Sequence, residues 1–170
     1  MSLFTKRKLR VMPIDGTEDF ELLTPLVWQL VYGKPWLGLV FIPEGFITDW
    51  DSTPKILRPF LPGRLRARRS FTLHDWEFNR GFIWKQHPDC TRATPVMVSF
   101  SQWNTLMREA MKAEGVGRFT RWSMYAGVST FGRIIWNQKQ QRRQAIFKLE
   151  KLNSTIQPKQ WRDFLNETYE

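Results

Sequence analysis

His74-Asp75 is the single His-Asp dipeptide of the 170-residue chain, and it stands in the largely apolar run Thr72-Leu73-His74-Asp75-Trp76-Glu77-Phe78. Upstream, Gly45-Phe46-Ile47-Thr48-Asp49-Trp50-Asp51-Ser52-Thr53-Pro54 gathers carboxylates and hydroxyls around a glycine. An imidazole among carboxylates suits general acid–base work near neutral pH, or a metal ion. Neighbours on a helix point about 100° apart, so His74 and Asp75 each reach for a different element. The partners on offer are Asp49 or Asp51 from the bend and Asn104 from further on. Two readings follow. In one, His74, Asp75 and Asp49 are catalytic. In the other, Gly45, Thr48, Asp49, Ser52, His74 and Asp75 form a structural brace. Asp75 then accepts backbone N–H bonds from the bend, and His74 is a hydrogen-bonded core histidine. Buried polar groups are normally paired, which favours the brace.

Other chemistry finds less support. Gly-x-Ser-x-Gly is absent, so no serine sits in a nucleophile elbow. Cys90 is the one cysteine, which rules out an internal disulfide. His87-Pro88-Asp89-Cys90 stands without a Cys-x-x-Cys or His-Glu-x-x-His, so no metal site or cofactor is expected. Arg64, Arg66, Arg68 and Arg69 form the densest basic cluster, with Lys6, Arg7, Lys8 and Arg10 second. Such a cluster is either a solvated face or a contact to phosphate or an acidic neighbour. Phe82, Trp84 and Trp103 could stack bases, but no RNA-binding signature accompanies them.

The net charge is +10 and nine residues are tryptophan. The charge speaks to partners: nucleic acid, an anionic surface or an acidic protein. Large rigid rings fill cores and also anchor interfaces. No apolar run approaches the length of a transmembrane helix, and the basic N-terminus is not followed by a signal-peptide core. These features predict a protein made in a reducing cytoplasm.

The elements that must position these groups divide by halves. Residues 20–23, 26–32 and 37–42 read as strands, and Gly33-Lys34-Pro35 makes a hairpin of the last two. Helices are predicted over 65–80, ending at Gly81, over 101–113 and over 118–136. Phe119, Trp122, Tyr125, Ala126 and Ser129 mark a face of the third. Residues 137–152 read as a helix extending from the globule, and Trp161, Phe164 and Leu165 recur at helical spacing after it. The fold class expected is α+β: a small N-terminal antiparallel sheet packed against three or four helices. Residues 1–19 form a basic arm, 20–136 the core domain and 137–170 a helical C-terminal extension.

Gly45-Phe46-Ile47-Thr48-Asp49-Trp50-Asp51-Ser52-Thr53-Pro54 followed by Leu73-His74-Asp75-Trp76-Glu77-Phe78 resembles a small family of phage and prophage proteins of unknown function. The resemblance runs from about Phe20 to Trp136 and includes Arg108-Glu109-Ala110-Met111, Gly115-Val116, Met124-Tyr125 and Phe131-Gly132. It implies a virion structural or accessory protein, of the neck or tail, that binds other phage structural proteins, in multiple copies of a symmetric assembly. The alternative it implies is a phage hydrolase of cell wall or lipid using the His-Asp site. Basic clusters leave nucleic acid open as a partner. The chain departs from the family at Trp103-Asn104, where Ala-Asp is usual, and Gln86 to Ser101 looks like an insertion.

Overall fold

Runs of branched and aromatic residues, two to five long, make the strands, and each is too short to stand without neighbours. In a computed structural model the chain is described over residues 2–4, 9–30, 39–50, 67–86 and 93–152. Strands β1 (Ser2–Phe4), β2 (Val11–Pro13), β3 (Phe20–Leu22), β4 (Leu26–Leu30), β5 (Leu39–Ile42) and β6 (Ile47–Thr48) precede helix α1 (Arg68–Arg80). Then come β7 (Phe82–Gln86), β8 (Ala93–Met97), α2 (Phe100–Ala113), α3 (Arg118–Gln138) and α4 (Gln140–Leu152). Five strands form one sheet in the order β1-β4-β5-β7-β8, and β2-β3-β6 form a second; every pairing is antiparallel. The arrangement is α+β, with β4 and β5 paired as the hairpin reading requires.

The sheet is not confined to the first half. Gln86 to Ser101, read from sequence as an insertion, carries the last residue of β7 and all of β8, and β7 and β8 extend the sheet from β5. The cause lies at Gly81, whose φ of 70° ends α1 in a left-handed cap. The chain then enters Phe82-Ile83-Trp84, all buried, as a strand. Pro95 is accommodated because β8 is the last strand of its sheet. Residues 1–19, set apart as an arm, supply β1 to the large sheet and β2 to the small one.

Helix α2 starts at a capping box: Ser99 Oγ accepts the Gln102 N–H, and the Gln102 side chain accepts the Ser99 N–H. Its apolar stripe divides between two cores. Trp103, Leu106 and Ala110 join Trp28, Ile42, Leu73 and Trp84 over the sheet. Met107 and Met111 join Phe71, Val116 and Met124 among the helices. Helix α3 buries Thr120, Met124 and Gly132. Of the face read from sequence on this helix, Phe119 and Trp122 are 74 % and 49 % exposed, whereas Tyr125 and Ser129 are half-buried.

Helix α1 has no capping side chain of its own, since Ala67 occupies the N-cap. Its free N–H groups are met from the end of α2. Glu114 accepts from the Arg69 N–H (3.1 Å), the Ser70 N–H (2.9 Å) and Ser70 Oγ (2.5 Å). Burial raises the Glu114 carboxyl above its ordinary range, and the bonds from Ser70 and Arg69 pull it partly back. Glu114→Ala is expected to lower stability by about 1–2 kcal/mol, the usual worth of a lost cap. A urea midpoint shift without a change in slope would register it.

The residues set apart as a C-terminal extension begin with α4, which packs on α1 and β8. Ile146 and Phe147 lie against the sheet core. Arg143 is 1 % exposed, and its guanidinium donates to the carbonyls of Trp136 (2.6 Å) and Phe78 (3.4 Å) while lying 3.6 Å from the Trp136 ring centre. Gly81 admits it: a Cβ there would stand 2.6 Å from Arg143 Cδ.

Candidate functional site

The bend and α1 meet through side chains. Thr48, 1 % exposed, donates its hydroxyl to Asp75 Oδ2 in a short hydrogen bond. Trp50 follows with φ 48°, a left-handed backbone that costs a bulky residue free energy and persists where surroundings over-determine it. Its ring stacks on Phe20 at 4.3 Å, and its Nε1–H donates to Thr72 Oγ1 at 2.9 Å. The Arg68 guanidinium lies 4.9 Å from that ring, so this member of the basic cluster is engaged at the bend. Gly45 supplies the turn before it, with φ 80°.

His74 Nδ1 lies 3.6 Å from Asp75 Oδ1, beyond hydrogen-bond reach. The ring tilts against Phe78 at 4.5 Å, and Nε2 is buried without a hydrogen-bond partner. Asn79 donates to the Asp75 carbonyl (2.8 Å) and accepts from Lys139 Nζ (3.2 Å), tying α1 to the residue that joins α3 to α4.

These groups line an open cleft of about 530 Å³. Asp19, Asp49, Asp75 and His74 supply its polar side, with Asn79 and Lys139. Phe71, Phe78, Met107, Met124, Val128, Phe131 and Ile135 supply most of the remaining wall. The structure therefore brings together His74, Asp75 and Asp49 along one cleft, while Thr48 stands behind Asp75. Asn104 lies elsewhere; its Nδ2 donates to Ser129 Oγ at 3.1 Å. Ser52, Asp51, Arg64, Arg66, His87 and Cys90 lie outside the described residues. Arg69 contributes its backbone N–H to Glu114. Among the described residues, no group of three His, Cys, Asp or Glu side chains is placed to hold a metal ion. No helix among them is long and apolar enough to cross a membrane.

Sequence reading missed the apolar wall. Gly127, Val128, Phe131 and Ile135 recur at helical spacing on α3, but the aromatic residues of another face drew the stripe away from them. Trp50 and Thr72 were likewise unmarked, because their bond joins residues 22 apart in the chain.

With one carboxylate oxygen of Asp75 bound by Thr48 and the imidazole Nε2 buried, the pair offers the cleft a fixed polar edge. It does not present an aligned nucleophile and base. The arrangement suits recognition of an apolar group carrying a polar or cationic end.

Comparison with known proteins places this geometry in a family. A family model described as "Protein of unknown function (DUF1353)" matches residues 24–128, more than half of the sequence, and the chain belongs to that family. No curated protein and no solved structure matches it. The matched stretch holds the bend, α1 and α2 and ends within α3, so Phe131, Ile135 and Lys139 lie beyond it.

Proposed function

We propose that this DUF1353 protein is a bacteriophage or prophage structural or accessory protein that works by gripping another polypeptide in its cleft. The observation that carries the binding reading is an open cleft walled by apolar side chains and edged by Asp19, Asp49 and Asp75. A partner would seat a large apolar side chain against Phe71, Met107 and Val128 and place a cation near the acids. The phage setting rests on the paired Gly-Phe-x-Thr-Asp and Leu-His-Asp motifs. In that setting the protein is a virion component of the neck or tail, made in the host cytoplasm and present in several copies.

Gly127 gives the test a clean handle. It lines the cleft, and a Cβ there meets nothing within 4 Å. Gly127→Leu should fill the cleft while leaving the fold intact, since it removes a glycine from a helix interior. The wild type is expected to co-purify with intact particles, and the variant to be lost from them by about tenfold or more, the loss of roughly 1.4 kcal/mol of binding. Equal retention of both proteins would defeat the cleft as the gripping site. Absence of the wild type from particles would defeat the virion role.

A hydrolase of cell wall or lipid is the second reading, favoured by His74 and Asp75 both lining the cleft. The buried Nε2 of His74 weighs against it. If His74→Ala and Asp75→Asn fold normally but abolish a hydrolytic activity of the wild type, the second reading replaces the first. Binding to nucleic acid through the basic clusters would instead show affinity falling steeply with salt.

A further inference from the structure

The solvent side of α3 combines two properties that the cleft does not use. Along its length α3 holds no aspartate or glutamate and three arginines, Arg118, Arg121 and Arg133. On the same helix Phe119, Trp122 and Ile134 are 74 %, 49 % and 64 % exposed, among the exposed Arg118, Ala126, Thr130 and Arg133. Arg108, from α2, lies 5.1 Å from the Trp122 ring and 5.2 Å from Tyr125, which holds its charge beside the rings. At 21 residues, α3 presents this face along about 30 Å.

We infer that the outward face of α3 docks on an anionic lipid bilayer surface. Aromatic and branched side chains projecting from a basic helix are what an interfacial helix buries among acyl chains and headgroups. Flanking arginines meet the lipid phosphates of an anionic surface. The other occupants fit less well. A second copy through the same face would oppose like charges with no acid on α3 to pair them. Nucleic acid would take the arginines but leave Ile134 and Phe119 without a role. An acidic protein would have to supply a complete pocket for side chains standing on a convex surface. The inference is independent of the cleft.

The test is co-sedimentation of the full chain with vesicles of phosphatidylcholine alone, or of phosphatidylcholine with phosphatidylglycerol, at low and high salt. Binding is expected to the anionic vesicles and to weaken with salt. Phe119→Ser/Ile134→Ser and, separately, Arg118→Glu/Arg133→Glu should each lower it about tenfold or more. Circular dichroism of both variants should match the wild type, because the substituted side chains are exposed. Arg10→Glu, a reversal at the exposed residue before β2, should leave most of the binding. No binding to anionic vesicles would overturn the inference, as would equal losses from Arg10→Glu and Arg118→Glu/Arg133→Glu. Binding unchanged by Phe119→Ser/Ile134→Ser would overturn it too, leaving charge alone. Capture of an acidic protein without vesicle binding would assign the face to that partner instead.

Discussion

Arg143→Ala is expected to destabilise the protein by about 1.5–3 kcal/mol, the range for losing hydrogen bonds made by a charged group. Three contacts go at once: the bonds to the Trp136 and Phe78 carbonyls and the face-on approach to the Trp136 ring. The carbonyls are then left without that donor, and the space beside Gly81 empties. Phe78 and Trp136 also pack edge to face at 5.7 Å, so loosening here reaches the cleft wall through Phe78. Arg143→Lys should recover little, because an ammonium cannot bridge two carbonyls while lying flat on an indole. Equilibrium urea unfolding of the three proteins measures this. A loss under 1 kcal/mol for the alanine variant would mean that α4 is held by Ile146 and Phe147 instead.

Glu77→Gln should reshape stability against pH. Glu77 is wholly buried on α1, with neither carboxylate oxygen hydrogen-bonded. Desolvation drives its carboxyl well above the ordinary 4.5; the nearby Arg143 charge opposes this and the Asp75 charge adds to it. The folded state therefore holds a proton that the unfolded chain releases. Its stabilising contribution is complete below pH 4.5 and drains away as pH rises through the raised folded value. A neutral amide does not titrate, so Glu77→Gln should lose less stability than the wild type between pH 5 and alkaline pH. The difference should widen by up to about 1.4 kcal/mol for each pH unit between 4.5 and the raised folded value. Glu114, shifted in the same direction, keeps a residual slope in the variant. Parallel curves for the two proteins would show Glu77 ionised in the fold, with Arg143 as its counter-charge.

Much of the frame was legible in local signals. Gly81 announces the end of α1 and the alternation on either side of Gly33 the β4–β5 pair, whereas α2 starts one residue before the expected 101, at the capping box of Ser99 and Gln102. His74 and Asp75 fell on a helix, as their spacing required. What escaped depended on long-range closeness. Glu114 reads locally as the end of α2, and nothing nearby in sequence says that it caps a helix 45 residues upstream. Arg143 follows a glutamine-rich start that suggests solvent, yet it is among the most buried side chains in the molecule. Its partner carbonyls belong to backbone, which leaves no trace in residue type. The strands β7 and β8 were hidden by an expectation that the second half was helical, although Phe82-Ile83-Trp84 is as strand-like as anything before it.

The cleft is built from both sides of a sequence boundary. Asp49, Asp75, the bend and α1 fall within the stretch matched to DUF1353, whereas Asp19 precedes it and Phe131, Ile135 and Lys139 come after it stops at residue 128. The α3 wall beyond Val128 is therefore not specified by membership of the family; it is set by this chain's own sequence.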